Sequence, residues 1–410
     1  MNILAEKSIK DICLKVSSGG TPSRKKPEYY CENSNGHLWV KSKELLDKGI
    51  YDTEEKISDE GLKNSSAKYY PAGTILLAMY GANIGQLGWL EKPATVNQAV
   101  CAMVVDPIKA DNKYLFYALL ETREKLKVQA QGAAQQNLNA GQIKAFKIPY
   151  PTLDIQKKIA SILSTYDDLI ENNNRRIAIL EEMAQKLYRE WFVKFRFPGH
   201  EEVKMVESEL GLIPEGWEVV TLSELYKTSS GGTPSRKKLE YYDEGTIPWV
   251  KTKELKDSFV IDSEEKITEL GLQGSSAKLF PKYSVLMAMY GATIGQLGII
   301  SQEASSNQAC CAIISKDEEF SPWYAYLYLY SNRDHIIGQR MGAAQQNISQ
   351  QIIKNLFILK PTFDTMKKFN QIVITPLFLQ IENLQKKNLN LKKQRDLLLP
   401  KLISGKITPP

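Results

Sequence analysis

Alternating apolar and polar positions divide this chain into two kinds of element. Short apolar runs predict strands that end at Trp39 and Trp249, and further strands lie in TILLAMYG and AVCAMVV and in the similar runs SVLMAMYG and ACCAIIS. DNKYLFYALLETREKLKV begins with a capping Asp111 and continues with apolar residues at helical spacing, as does SPWYAYLYLYSNRDHII from Ser321. The pattern predicts two mixed α/β regions, with the Tyr-rich helix YLFYALL in a core.

A different pattern follows each region. From Asp154 the residues DIQKKIASILSTYDDLIENNNRRIAILEEMAQKLYREWF contain no Gly or Pro, and apolar positions lie four and three apart with a slip at Asn173, which predicts a coiled-coil helix with a stutter. The predicted seam is Ile155, Ile159, Ile162, Tyr166, Leu169, Ile177, Leu180, Ala184, Leu187 and Trp191. A second, less regular helix is predicted from Asp364 to about Leu399, with a kink near Pro376 and with Lys387 and Asn390 at seam positions.

The two α/β regions are copies of each other. SSGGTPSRKKPEYY from Ser17 and SSGGTPSRKKLEYY from Ser229 share 13 of 14 residues at an offset of 212. After a two-residue deletion, the 35 residues from Glu54 and from Glu264 share 22 identities at an offset of 210. A period of this length indicates a duplicated domain and excludes a solenoid of short repeats.

These patterns predict five segments: a first repeated domain at 1–153, a long helix at 154–196, a linker at 197–215, a second repeated domain at 216–361, and a second helix with a tail at 362–410. The first helix leads the chain from one domain to the other, so a second helix packed beside it must run back. We therefore expect two long antiparallel coiled-coil helices. They should join two similar domains of the α+β or mixed α/β class that are related by pseudo-two-fold symmetry. The two ends of the chain should lie near each other.

Composition narrows the function classes. The 410 residues are 43% apolar and carry a formal net charge of +6, a mild basic bias that is compatible with an acidic partner. The five cysteines form no CxxC pair and have apolar neighbours, which predicts reduced, buried thiols and neither a disulfide framework nor a zinc ribbon. No apolar run reaches the length of a membrane span, so we expect no membrane association and a cytoplasmic location.

Motifs for catalysis are missing from the sequence. It has no GxxxxGK[ST] phosphate loop and no Asn-Pro-Pro-aromatic motif for adenine methylation. His37, His200 and His335 are isolated along the chain, which disfavours a catalytic triad or a metal cluster. Consecutive carboxylates such as Glu54 and Glu55 are expected to be solvated surface. The sequence predicts a protein that is not itself an enzyme and holds no metal.

Several segments resemble one known family. GGTPSRK, WVKSKEL, the repeated NQA, IPYPTLDIQKKIASIL, LYREWFVKFRFPGHE, LIPEGWEVVTLSELY and RDLLLPKLISGKI are similar to segments of Type I restriction-modification specificity subunits, and the resemblance covers essentially the whole chain. It implies that the repeats are target-recognition domains for a bipartite sequence in double-stranded DNA. Because the two domains are nearly identical and are expected to be related by a two-fold axis, we expect the two halves of the target to be inverted copies of each other. It also implies two methyltransferase subunits that use S-adenosylmethionine, and restriction subunits that are ATP-driven translocases requiring Mg. Those cofactors are expected on the partners, with none in this chain.

The first group of candidate DNA-binding residues is basic. A glycine-hinged loop offers hydroxyls and cations suited to phosphate contacts, and lysines follow the strand that ends in WV. These residues are Thr21, Ser23, Arg24, Lys25, Lys26, Lys41 and Lys43, with the counterparts Thr233, Ser235, Arg236, Lys237, Lys238, Lys251 and Lys253. The alternative interpretations are a solvated turn for the loop and an ordinary strand end for the lysines.

The second group carries amides and a tyrosine. Amide side chains can form paired hydrogen bonds with adenine, whereas a helix cap at Asn137 or Asn139 would explain the same cluster. For the MYGANIGQLG segment a tight hairpin is the alternative to DNA contact. The candidates are Tyr80, Gln86, Gln135, Gln136 and Asn137, with Tyr290, Gln296, Gln345, Gln346 and Asn347 in the second copy.

Two other function classes stay open from the sequence: a stand-alone DNA-binding protein, and a coiled-coil scaffold without restriction partners. Failure to bind duplex DNA at low salt would favour the scaffold.

Overall fold

The computed structural model describes residues 5–31, 36–130, 137–339 and 347–410. They form two compact units. Unit 1 contains the described residues up to Glu171 together with Asn390–Pro410, and unit 2 is Asn172–Leu389. Each unit therefore combines one repeated domain with parts of the two long helices.

In its described part, unit 1 contains two five-stranded sheets and a strand pair. The first sheet has the order Tyr30–Cys31, Lys56–Ile57, His37–Val40, Ala94–Val96 and Tyr69–Tyr70, and the second has the order Cys13–Ser18, Val100–Val105, Ile75–Ala78, Leu87–Leu90 and Lys48–Ile50. Glu6–Ser8 pairs with Lys147–Pro149. The helices are Ile9–Ile12, Asp59–Lys63, Asn112–Glu121, Arg123–Ala130 and Ala140–Ala145, and Pro27–Tyr29 and Ser42–Glu44 are 3-10 turns.

The core of unit 1 lies between the second sheet and the Tyr-rich helix. Asp111 caps this helix, as predicted, by accepting a hydrogen bond from the Tyr114 amide at 2.9 Å. The helix ends at Glu121, earlier than the sequence pattern indicates, because the Thr122 hydroxyl donates to the Ala118 carbonyl and a new helix begins at Arg123. The six residues from Tyr114 to Leu119 are all buried, which confirms their prediction as core.

Unit 2 repeats this arrangement within its described residues. One sheet has the order Tyr226–Ser230, Cys310–Ser315, Val285–Ala288, Leu297–Ile300 and Ser258–Val260, and another has the order Lys266–Ile267, Ile247–Val250 and Ser305–Ser306. Glu218–Thr221 pairs with Phe357–Lys360, and Met205–Ser208 pairs with Gly211–Pro214. The helices are Leu222–Leu225, Glu269–Gln273, Pro322–Ser331, Arg333–Gly338 and Gln350–Lys354, and the 3-10 turns are His200–Glu202, Leu239–Tyr241, Thr252–Glu254 and Gly291–Thr293.

The first long helix spans the 36 residues Leu153–Tyr188 and continues as a π-helical turn, Arg189–Val193. Its second half buries Ile177, Leu180, Ala184 and Trp191, as the seam predicts. In the first half, Ile159 is buried and Ile155 and Ile162 pack against the core of unit 1, as the seam predicts, but the last two predicted positions are not buried. Leu169 is 46% exposed and Tyr166 only partly buried, whereas Gln156, Ala160 and Leu163 are buried.

The second long helix comprises Phe363–Lys367, a π-helical stretch Lys368–Ile374, and Thr375–Ile403. The π-helical stretch ends just before Pro376, where the sequence predicts a disturbance, because proline cannot donate the regular backbone hydrogen bond. Lys387 and Asn390 are exposed, so their predicted seam positions were wrong.

Polar side chains join the two helices within each unit. In unit 1 the Arg395 guanidinium pairs with Asp167, and in unit 2 the Asn173 amide donates to the Asn388 side chain at 2.8 Å. The ring of Phe192 packs on Phe369 with centroids 4.7 Å apart. Asn173 of the first helix thus contacts Asn388 of the second, whereas Phe192 contacts Phe369. The helices there run antiparallel, as predicted.

The C-terminal segment belongs to the core of unit 1. Leu399, Leu402 and Ile403 are buried in one cluster with Ile9 and Ile12, near the start of the chain. Within the described residues, this confirms the expected proximity of the first and last parts of the chain. Among the described helices, none combines the length and the apolar composition needed to cross a membrane.

Candidate nucleic-acid interface

The glycine-hinged loop of each domain is held by close backbone contacts. The Gly20 amide donates to the Val96 carbonyl at 2.9 Å, and the Trp39 indole donates to the Gly20 carbonyl at 3.0 Å. A Cβ on Gly19 would lie 1.9 Å from the Val96 carbonyl oxygen, so the loop requires glycine there. Gly232 and Trp249 repeat the indole contact at 2.9 Å. The loop is therefore anchored at its base, and residues 23–28 beyond it are exposed.

Five cations per domain gather at this loop and the neighbouring strand end. We call them the cation cluster: Arg24, Lys25, Lys26, Lys41 and Lys43 in the first domain, and Arg236, Lys237, Lys238, Lys251 and Lys253 in the second. Most of them already have a partner in the folded chain. Arg24 lies 2.7 Å from the Glu55 carboxylate, Lys41 lies 3.0 Å from both Glu54 and Glu55, and Lys43 pairs with Glu54.

The second domain reproduces these pairs. Arg236 lies 2.6 Å from Glu265, Lys251 also pairs with Glu265, and Lys253 pairs with Glu264. Glu44 and Glu254 hold the backbone around the pairs, since the Glu44 carboxylate accepts hydrogen bonds from the amides of Lys41 at 2.6 Å and Glu54 at 2.8 Å. Glu54 is exposed, as expected, but Glu55 is only partly exposed, and both carboxylates pair with Lys41.

Aromatic rings fix the arginine of each cluster. The Arg24 guanidinium lies 4.2 Å from the Tyr30 ring centroid and 5.2 Å from that of Trp39, and Arg236 lies in the same way over Tyr242 and Trp249. Lys26 and Lys238 instead reach tyrosine hydroxyls, Tyr29 and Tyr241, at 2.9 Å. Among the described residues, Lys25 and Lys237 have no carboxylate within ion-pair distance.

The electrostatic balance of the cluster keeps both sets of groups ionised. Burial alone would lower the pKa of Lys41, but hydrogen bonds to Glu55 and Glu54 raise it above the ordinary value. Burial works against ionisation of Glu55 as well, but hydrogen bonds from Lys41 and Arg24 leave its pKa below the ordinary value. The cluster therefore remains zwitterionic at neutral pH.

The structure adds exposed amides beside the loop. The Thr21 hydroxyl donates to the side chain of Gln98, and Thr233 donates to Gln308 in the same way. Gln98 and Gln308 are exposed, and they belong to the NQA segment that occurs in both copies. The sequence candidates did not include these glutamines, although the recurrence of NQA in both copies was the available signal.

The MYGANIGQLG segment forms the hairpin that the alternative interpretation predicts. It links Ile75–Ala78 to Leu87–Leu90 through Gly81 and Gly85, which have φ values of 80° and 82°. Tyr80 is partly buried against the core of unit 1, its counterpart Tyr290 is 39% exposed, and Gln86 and Gln296 are half-buried.

The described members of the amide clusters, Asn137 and Asn347, adjoin this hairpin at its base. The Leu138 amide donates to the Met79 carbonyl at 2.8 Å, and Ile348 to Met289 at 3.0 Å, so Asn137 and Asn347 lie next to the hairpin. Gln135, Gln136, Gln345 and Gln346 lie outside the described residues. The helix cap is Asn139, which forms a capping box with Gln142, and is not Asn137.

Comparison with known proteins accounts for the duplication. The family model for the Type I restriction modification DNA specificity domain matches residues 4–182 and again residues 214–393. The chain belongs to the Type I restriction-modification DNA specificity family.

Relatives of this specificity-family member include the Type I restriction enzyme MjaIX specificity subunit of Methanocaldococcus jannaschii, which is 32% identical over 98% of this chain and 93% of its own length. The HindI specificity subunit of Haemophilus influenzae is 25% identical over 72% of this chain and 77% of its own length. A crystal structure of the Type I S subunit from M. genitalium has a TM-score of 0.63 at 18% identity and covers 98% of this chain and 96% of that one. This last similarity concerns the fold.

The surroundings of two kinds of reactive side chain were not visible in the sequence. His37 is far from the other histidines along the chain, but in the fold one ring nitrogen lies 2.6 Å from Asp59 and the other bonds to the Tyr69 hydroxyl. The second domain of this specificity-family member has Ile247 and Leu279 in place of His37 and Tyr69, so the contact is not duplicated. Cys13 and Cys31 are only partly buried, although all five cysteines are free thiols.

Burial disfavours a nucleophilic role for the deeper thiols. It raises the pKa of Cys101, Cys310 and Cys311 to about 12, which keeps them protonated. Among the described residues, no three His, Cys, Asp or Glu side chains are grouped so that they could hold a metal ion.

Proposed function

We propose that this chain is the non-catalytic DNA sequence-specificity subunit of a Type I restriction-modification system. The observation that carries the proposal is the double match to a DNA specificity domain, together with a duplicated cation cluster on an anchored loop. In this proposal each domain recognises one half of a bipartite target. In it, exposed cations that have no carboxylate partner among the described residues, such as Lys25 and Lys237, contact phosphates, and the amides of the hairpin and of the NQA segment contact base edges.

The inverted halves of the target are expected to be alike. The loop sequences share 13 of 14 residues, and the same ion pairs and the same arginine stacking recur in both domains. Differences on the surface, such as Lys63 against Gln273, can alter recognition at single bases. Near-identical domains should otherwise select near-identical half-sites.

The chain is proposed to act through partners. Two methyltransferase subunits methylate adenine and use S-adenosylmethionine as the methyl donor. Restriction subunits carry out ATP-driven translocation, which requires Mg. This chain recognises the target sequence. The relatives are named as specificity subunits of restriction enzymes, which supports this division of labour.

Binding of the purified full chain to duplex DNA tests the proposal. Fluorescence anisotropy with a labelled duplex of mixed sequence should show binding at low salt that weakens steeply as salt rises. Absence of binding at low salt would favour the coiled-coil scaffold. Co-expression with the methyltransferase and mass photometry should then show a complex with two methyltransferase copies, and a chain that binds DNA but never the methyltransferase would be a stand-alone DNA-binding protein.

A further inference from the structure

The carboxylates of the cation cluster are poorly explained by folding alone. The pair between Arg24 and Glu55 has side chains that are 56% and 35% exposed, and exposed ion pairs contribute only about 0–1 kcal/mol to stability. The backbone around the pair is held by Glu44, whose carboxylate accepts the amide hydrogen bonds. The Glu55 side chain, by contrast, contacts cations.

Removal of the carboxylate would leave the arginine in place. Arg24 keeps its stacking over Tyr30 and Trp39, and that stacking does not involve Glu55. The same is true of Arg236 over Tyr242 and Trp249, with Glu265 as its carboxylate partner. Each domain therefore carries a positioned guanidinium whose charge is offset by a neighbouring glutamate.

An offset cation contributes little to general DNA binding. Affinity for duplex of any sequence comes from cations that neutralise phosphates and release counterions, with about 0.9 in the salt slope for each contact. A guanidinium paired with a carboxylate must give up that partner before it neutralises a phosphate, and the carboxylate then faces a like charge. Glutamates at these positions therefore weaken general affinity for the DNA backbone.

We propose that Glu55 and Glu265 are positioning residues that hold Arg24 and Arg236 away from the DNA phosphates and so limit binding to duplex of arbitrary sequence. The inference rests on the proposed function, because it requires that the cation clusters face DNA. The inference predicts a gain of function, because loss of the glutamate should strengthen DNA binding. A variant that merely misfolds would not show this gain.

The test is the double variant Glu55→Gln with Glu265→Gln in the full chain, bound to a labelled duplex of mixed sequence over a range of salt. Two released arginines should steepen the salt slope by about 1.8 and tighten binding roughly 10- to 60-fold near 0.1 M salt. The conservative variant Glu55→Asp with Glu265→Asp keeps the charge and should behave like the parent.

Glu28→Gln with Glu240→Gln is the matched control. Both residues are exposed, occupy equivalent positions beside the same loops, and give the same change in net charge. Among the described residues, neither has a cation within ion-pair distance. This control separates the loss of the glutamate–arginine ion pair from the general rise in net positive charge.

The variant Glu54→Gln with Glu264→Gln provides a second test if the first variant folds poorly. Glu54 and Glu264 are more exposed than Glu55 and Glu265 and pair with Lys43 and Lys253, so this variant should give a gain in the same direction. A gain no larger than that of the Glu28 control, or a gain without a steeper salt slope, would overturn the inference while the parent still binds DNA. If the parent chain itself ignores duplex DNA, the proposed function fails instead.

Discussion

Lys25 and Lys237 should carry the strongest phosphate contacts of the two loops. Both side chains are exposed, and the structure shows no carboxylate beside them within the described residues. The perturbation is Lys25→Ala with Lys237→Ala. If each lysine neutralises one phosphate, the salt slope should fall by about 1.8, which corresponds to a loss of roughly 60-fold in affinity near 0.1 M salt and roughly 20-fold near 0.2 M.

Anisotropy titrations with a labelled duplex of mixed sequence measure both quantities. Lys158→Ala with Lys368→Ala removes the same charge from exposed positions on the two long helices and serves as the control. The control should keep the parent slope, because these lysines lie outside the cation clusters. If the loop variant and the control bind alike, the loops are solvated turns and the phosphate contacts must lie elsewhere.

Two further predictions concern stability. Arg395→Met leaves Asp167 without its guanidinium at a site where both side chains are 14% exposed, so the free energy of unfolding should fall by about 2–3 kcal/mol in urea, whereas the exposed Lys393→Met should change it little. Burial, with a smaller effect of Asp257, raises the pKa of Glu181 to about 7 from an ordinary 4.5, so the folded chain binds the proton more tightly than the unfolded chain. The free energy of unfolding should therefore decrease as pH rises from about 4.5 to about 7. Glu181→Gln should flatten this dependence and raise Tm at pH 8. If the variant shows the same pH profile of thermal unfolding as the parent, Glu181 is not the group responsible.

The strand pattern and the duplication were predictable because they depend on local sequence. The apolar runs ILLA and VCAM of the first copy and VLMA and CCAI of the second are buried, and the similar sequences produced the same pairing order in the second sheet of unit 1 and its counterpart in unit 2. The second half of the first long helix followed its heptads for the same reason. These features need no knowledge of distant contacts.

Part of the buried face in the first half of that helix escaped prediction, because a buried polar residue is not detected by a hydrophobic pattern. Gln156 is fully buried, and its amide bonds both to the Asp111 backbone at 3.1 Å and to the Pro151 carbonyl at 2.9 Å. These hydrogen bonds offset the cost of burying the amide. The buried face includes Gln156 and Leu163 beside the predicted Ile159, whereas the predicted Leu169 is exposed.

The cations of the clusters were found from the repeated loop and strand-end motifs, but their pairing with carboxylates was not. Arg24 and Glu55 are 31 residues apart, and only the fold of the domain brings them to 2.7 Å. A count of lysines and arginines therefore overstates the charge available for phosphates. Glu54 and Glu55 recur as Glu264 and Glu265, so the repeat held the signal, although not the contact.

In the proposed function, the two near-identical domains of this chain recognise the two halves of a bipartite DNA target. Single-molecule sequencing of methylated adenines in a host that carries the system, with and without the gene for this chain, tests it most directly. The account predicts a methylated motif of two inverted, matching halves around a short non-specific spacer, which disappears with the gene. A motif with two unrelated halves, or methylation that persists unchanged without the chain, would contradict it.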